Sequence, residues 1–133
     1  MQIERRKFLA YIGAAAITRL QPHPQETTSM YGLIVKLTAV PGKRDEMIAI
    51  LKESAANMPG CISYVLAKDA GDENLVWVTE VWDSAASHDA SLSLPSVKNA
   101  MPRVKSLLSN FERIAATTPI WGSSLPKPFL IQR

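Results

Sequence analysis

The chain has 133 residues, of which 47% are hydrophobic and 20% are charged, and these values favour one globular domain. The formal net charge is +3, but residues 1–16 hold three basic residues and one acidic residue, so the remainder carries only +1. Without a basic patch, an aromatic-interleaved RNA motif or zinc-ligand spacing, we predict neither nucleic-acid binding nor a metal site. The single cysteine, Cys61, permits no intrachain disulfide and no CxxC site, and we interpret it as a small apolar side chain near a strand start.

The first thirty residues have the pattern of an export signal. An Arg-Arg-Lys run at 5–7 precedes an apolar stretch at 8–17, which is too short to span a bilayer and contains an alanine run at 14–16 suited to cleavage. The arginine pair followed by Phe-Leu resembles a twin-arginine signal. We therefore predict a leader and polar linker over 1–29, export to the periplasm or the extracellular space, and no stable membrane anchor. The alternatives are a short amphipathic N-terminal helix and an uncleaved tail.

The folded domain is predicted over 30–118, and it opens with a strand and a helix. Apolar residues alternate with others from Tyr31 to Leu37, and this period of two predicts a strand that ends before the Pro-Gly pair at 41–42. An apolar stripe then predicts an amphipathic helix over about 43–57, formed by Met47, Ile50, Leu51 and Met58.

Two strands follow, at 61–67 and 75–82, with a polar hairpin-style loop between them. Both faces of the second of these strands are mostly apolar. A strand covered on one side only would alternate with polar residues. We therefore expect helices on one side of the sheet and a second subunit on the other.

The last part of the domain is predicted as two helices and a strand. A short helix capped by Asp83 or Ser84 extends to about Leu92. A further helix with core-facing residues extends from 97 to Phe111, with Pro102 either kinking it or starting its second half. A weaker strand pattern covers 111–118. The proline-rich apolar tail at 119–133 is expected to lie across a neighbouring molecule.

The resulting order is β-α-β-β-α-β, which predicts an α+β fold of the ferredoxin-like, split βαβ class. A four-stranded sheet with one apolar face left open has to bury that face. We therefore predict a homodimer through the sheet face, which gives a dimeric α+β barrel.

Several short motifs in this order resemble the antibiotic biosynthesis monooxygenase (quinol monooxygenase) family. They are Pro-Gly-Lys at 41–43, Pro-Gly-Cys at 59–61, Glu-Val-Trp-Asp-Ser at 80–84, and Pro-Ser-Val at 95–97. The resemblance covers about 30–118 and implies a dimeric α+β barrel. It further implies a small aromatic substrate and no cofactor, because several family members oxidise polyphenols, anthrones or quinols with dioxygen and without metal, flavin or haem.

The chain departs from the family at two positions. Family enzymes often carry a histidine in the short helix after the Glu-x-Trp strand and another just after the proline of the next helix, and here those places hold Ser91 and Ser96. Residues 89–133 contain no histidine, which argues against the haem degradation found in related proteins, since an axial histidine commonly holds haem iron.

His88 is the candidate catalytic base. It lies three residues before Ser91, so on a helix the two share nearly the same face. An imidazole suits proton removal from a phenol or anthrone near neutral pH. The alternative is a half-exposed helix histidine without a role.

Glu80 is the second candidate catalytic residue. It shares a strand face with Val76, Val78 and Trp82, so we expect partial burial and a role as a polarising or proton-carrying partner. The alternative is a structural ion pair with a basic side chain, for which the candidates are Lys36, Arg103 and Arg113.

Three further residues are predicted to bind substrate, namely Trp82 and Tyr64 as ring-stacking walls and Ser91 near the base. The alternative for both aromatic residues is packing in the core or at an interface.

Two functions follow from these residues. The first is a cofactor-independent monooxygenase acting on a hydroxylated aromatic compound, and the second is a non-catalytic dimeric barrel that binds a small apolar ligand.

Overall fold

A computed structural model of the protein describes residues 29–126. The predicted leader and linker lie almost entirely outside this range, as does the end of the tail from residue 127 onwards. Within the described residues, no helix has the length and hydrophobicity needed to cross a membrane.

The described chain forms one four-stranded antiparallel sheet and three helices, in the predicted α+β arrangement. The elements are β1 (Tyr31–Ala39), α1 (Arg44–Ser54), β2 (Cys61–Lys68), β3 (Leu75–Trp82), α2 (Ala85–Ser91), α3 (Pro95–Leu107) and β4 (Leu108–Thr117). The strand order is β2-β3-β1-β4, so the sequence-distant strands β1 and β3 are central and β2 and β4 form the edges. This is the ferredoxin-like order expected from the sequence.

The core lies between one face of the sheet and the helices α1 and α3. The alternating residues Leu33, Val35 and Leu37 of β1 point to this face, as do Val76 and Val78 of β3. The helices cover them with buried side chains, which are Met47, Ile50 and Leu51 from α1 and Ala100 and Val104 from α3. None of the helices in the described part of the chain lies on the other face of the sheet.

The end of α3 corrects the sequence-based boundary. The helical stripe was expected to continue to Phe111, but the helix ends at Leu107, and Leu108 already pairs with Ala39 of β1. Phe111 therefore lies in β4 and is 57% exposed. Pairing of β4 with the second edge of β1 satisfies a row of backbone N–H and C=O groups, and this outweighs a few more residues of helical periodicity. Pro102 lies inside one continuous helix, which begins with Pro95 in its first turn.

Candidate active site

A group of polar and aromatic side chains lies on the helix-covered face of the sheet, at the end where β1 begins and β3 ends. Trp82 pairs with Tyr31 in the register of β1 and β3, and Glu80 pairs with Tyr64 in the register of β2 and β3. Alternation along each strand puts all four on the same face as the core. His88 reaches this group from α2, and we call these five residues the His88 cluster.

The helix α2 is held in place at its N-terminal end. The Ser84 hydroxyl accepts a hydrogen bond from the Ser87 N–H at 3.1 Å, which is an N-terminal cap. The Asp83 N–H donates to the Gly60 carbonyl at 2.9 Å. Gly60 has φ +83°, and a Cβ there would meet Ser87 Oγ at 2.5 Å. Only glycine therefore lets the turn before β2 approach α2 this closely.

His88 and Glu80, the two residues predicted to be catalytic, face each other. His88 Nε2 lies 3.9 Å from Glu80 Oε2, and the two side chains are only 17% and 12% exposed. This distance exceeds that of a hydrogen bond, so the two groups share no proton in this arrangement. If His88 gains a proton, the carboxylate is close enough to stabilise the imidazolium ion.

The second ring nitrogen of His88 faces the neighbouring residue on the helix. Nδ1 lies 3.3 Å from Asp89 Oδ1. An ionised carboxylate only accepts hydrogen bonds, so this contact favours the tautomer with the proton on Nδ1. Nε2 then carries the free lone pair that a general base requires.

The ring of His88 also packs between two aromatic side chains of the sheet. Its centroid is 5.2 Å from that of Tyr31 and 5.5 Å from that of Trp82, the latter in an edge-on arrangement at 80°. These contacts restrict the ring to one orientation.

Glu80 is bound by an indole rather than by a basic side chain. Trp82 Nε1 donates a hydrogen bond to Glu80 Oε2 at 2.7 Å. The alternative of a structural ion pair is wrong, because the three basic residues proposed for it contact other partners: Lys36 contacts Glu112, Arg103 contacts Glu53, and Arg113 donates to the Tyr31 hydroxyl.

Trp82 and Ser91, which were predicted to bind substrate, are more buried than residues that line a substrate site would be. Trp82 is 1% exposed, and its ring lies within the cluster rather than at its surface. Ser91 is also buried, and its hydroxyl donates to the His88 carbonyl at 2.6 Å. In this structure the Ser91 side chain therefore stabilises the last turn of α2.

The Glu80 carboxylate influences two titratable groups of β2. Burial, and then the charge of Glu80, raises the pKa of the Tyr64 phenol well above its ordinary value. The same two causes, in the same order, raise the pKa of the Cys61 thiol. Both groups are consequently neutral at physiological pH. Cys61 is half-buried at the start of β2, where its thiol donates to the Ser63 carbonyl at 3.6 Å.

An open cleft of about 440 Å³ lies at the β2 edge, next to the cluster. It is lined by residues 55–59, which follow α1, and by 61–64 of β2. Tyr64 belongs to both the cleft lining and the His88 cluster, so the cleft and the cluster adjoin at this residue. The volume is within the range of small-molecule sites.

Two members of the site were missed by sequence reasoning. Tyr31 is the first residue of β1, and only the antiparallel register brings it opposite Trp82. Asp89 adjoins His88 in the chain, and its proximity was the one signal that could have identified it.

Within residues 29–126, no group of three or more histidine, cysteine or acidic side chains is arranged to hold a metal ion.

Comparisons with known proteins agree with this fold. The model of the antibiotic biosynthesis monooxygenase family matches residues 30–103. A crystal structure of a candidate antibiotic biosynthesis monooxygenase from Chloroflexus aurantiacus is similar over 71% of this chain and 96% of its own, with 53% identity and a TM-score of 0.69.

More distant structures share the fold alone. SnoaB, described as a cofactor-independent oxygenase from Streptomyces nogalater, is 16% identical, with a TM-score of 0.62 and coverage of 72% of this chain and 98% of its own. A candidate family member from Caulobacter crescentus is 21% identical, with a TM-score of 0.63 and coverage of 71% and 92%. A search of curated proteins gave no match.

Proposed function

We propose that this chain, which belongs to the antibiotic biosynthesis monooxygenase family, oxidises a hydroxylated aromatic compound of the quinol or anthrone type with dioxygen and without a cofactor. The observation that carries the proposal is the pairing of His88 Nε2 with Glu80 Oε2 at 3.9 Å inside a largely enclosed cluster. The shared fold with a protein described as a cofactor-independent oxygenase supports the same chemistry by analogy.

His88 acts as the base in this proposal. Its Nε2 takes a proton from the substrate, and the Nδ1 contact with Asp89 keeps the tautomer that leaves Nε2 free. Glu80 then stabilises the imidazolium across the 3.9 Å gap, so proton removal does not leave an unpaired charge in an enclosed site. The product of this step is an electron-rich carbanion.

The carbanion reacts with dioxygen itself. A C–O bond forms, the proton returns to the peroxide oxygen, and loss of water breaks the O–O bond and leaves a carbonyl group. For an anthrone, one CH₂ group and one O₂ give one C=O group and one H₂O. The substrate loses four electrons and dioxygen gains four, with one oxygen atom in each product.

Oxygen uptake by the purified protein on a panel of quinols and anthrones tests the proposal. We expect His88→Ala to lower the substrate-dependent rate at least a hundredfold, the lower end of what general base catalysis contributes. His23→Ala is the matched control, since it removes the chain's other histidine. A His88→Ala protein that is folded and retains the full rate would contradict the assignment of the base.

Ligand binding without turnover is the second candidate function. It is favoured by Ser91, which stands where family enzymes often carry a histidine and whose hydroxyl is already bonded within α2. The cleft at the β2 edge offers space for a small ligand. No uptake across the panel, together with saturable binding of the same compounds by fluorescence or calorimetry, would favour this function over oxidation.

We also propose that the protein acts as a homodimer through the open sheet face. Val65 is 49% exposed on this face, and Ile34, Trp77 and Val81 lie half-buried beside it. Apolar side chains clustered on a face that none of the described helices covers favour burial against a partner. Light scattering should give a dimer mass for the native protein and a monomer mass for Val65→Lys, and a native monomer would contradict this assembly.

A further inference from the structure

We infer that Trp82 is a positioning residue for the proposed oxidation, because its indole N–H holds the Glu80 carboxylate in place beside His88. The inference rests on the proposed function and assigns Trp82 a role different from that of a substrate wall.

The burial of Trp82 limits what the side chain can do. At 1% exposure, its ring cannot stack on a substrate without a rearrangement of the cluster. It contacts the two predicted catalytic residues instead, and any effect on the reaction has to pass through them.

The hydrogen bond from Trp82 is made to the carboxylate oxygen of Glu80 that faces His88. Trp82 Nε1 donates to Glu80 Oε2 at 2.7 Å, and the same Oε2 is the atom that lies 3.9 Å from His88 Nε2. A bond to an ionised acceptor is strong and directional, so it sets both the side-chain rotamer and the gap to the imidazole. A carboxylate freed from the indole could turn and accept a hydrogen bond from an Nε2–H group, which would favour the other tautomer and remove the lone pair that has to accept the substrate proton.

The edge-on contact of the indole with His88 adds a second constraint. With centroids 5.5 Å apart and an 80° angle between the planes, the two rings limit each other's rotation. One buried side chain therefore sets the positions of both members of the pair.

The chain contains a matched control for this contact. Trp77 lies on the same strand and faces the other side of the sheet, and its Nε1 donates to Asp69 Oδ1, also at 2.7 Å. Both tryptophans therefore make an indole-to-carboxylate hydrogen bond of equal length. Only the bond of Trp82 involves the His88 cluster.

The experiment compares Trp82→Phe with Trp77→Phe in the oxygen-uptake assay, at a temperature where both remain folded. Phenylalanine keeps an aromatic ring and removes the N–H donor. We expect Trp82→Phe to lower kcat about tenfold or more with KM within about twofold, since the lost bond is charge-assisted and acts on the pair rather than on the substrate. Trp77→Phe should leave both constants unchanged.

A double-substitution cycle separates positioning from a packing defect. If Trp82 acts through Glu80, then Trp82→Phe in a Glu80→Gln background lowers kcat little beyond Glu80→Gln alone. Additive losses, or equal losses in the two tryptophan variants, would overturn the inference while leaving the oxidation established. A native protein that oxidises no member of the panel would instead refute the proposed function, and the positioning role with it.

Discussion

The contact between Gly60 and α2 gives a prediction whose magnitude follows from the structure. Among residues 29–126, two glycines have positive φ, Gly42 at +79° and Gly60 at +83°. An alanine at either position has to adopt a left-handed conformation, which costs about 1–2 kcal/mol. At Gly42 nothing lies within 4 Å of the new Cβ, whereas at Gly60 it would meet the Ser87 side chain at 2.5 and 2.6 Å and Asp83 Oδ1 at 2.8 Å.

The added crowding at Gly60 makes the two substitutions unequal. Overpacking of this kind costs a further 1–3 kcal/mol or so, so Gly60→Ala should lose about 3 kcal/mol and Gly42→Ala about 1 kcal/mol. Because Ser87 and His88 share the helix α2, Gly60→Ala should also lower oxidation, while Gly42→Ala should not. Urea unfolding at one fixed protein concentration measures the difference in free energy of unfolding. Equal losses in the two variants would show that the close approach to α2 does not constrain the fold.

Two predictions concern pH. The pKa of Asp69 is lowered from its ordinary value, first by the hydrogen bond from the Trp77 indole and then by those from the Asp72 and Gly71 N–H groups. The ionised carboxylate therefore stabilises the folded state at pH values above the unfolded pKa of about 3.9. This stabilisation is lost as the pH falls through the lower pKa of the folded state. Asp69→Asn should therefore flatten the acid limb of the stability curve, and an unchanged limb would contradict this contact. Burial raises the pKa of Tyr64 above the ordinary value of about 10, so Tyr64→Phe should remove the last phenol to ionise in an alkaline absorbance titration. Loss of a phenol that ionises at the ordinary value would contradict its burial.

Much of the fold could be predicted because apolar residues recur along most helices and strands with the spacing typical of that kind of element. The strand Leu75–Trp82 was predicted with its observed bounds, since both of its faces are apolar and polar turns flank it. The boundary between α3 and β4 could not be predicted in the same way. Leu107, Leu108 and Phe111 continue a helical spacing, and only pairing with the distant strand β1 decides that Leu108 begins a strand.

The candidate site, too, could be predicted only in part. His88 and Glu80 could be selected because their residue types suit proton transfer and their elements were predicted well. The hydrogen-bond partner of Glu80 could not be predicted. The 2.7 Å bond from the indole of Trp82, two residues away, depends on side-chain rotamers, and the pattern of apolar and polar residues does not determine these. Tyr31 was missed for a related reason, since its place beside His88 depends on the register between β1 and β3.

Oxidation of an anthrone under ¹⁸O-labelled dioxygen, by the native protein and by His88→Ala, tests the central claim most directly. The account predicts one labelled oxygen atom in the quinone formed by the native protein and no turnover above the protein-free rate for His88→Ala. Unlabelled product would mean that the new oxygen comes from water rather than dioxygen. Labelled product at the native rate from His88→Ala would mean that another group removes the proton.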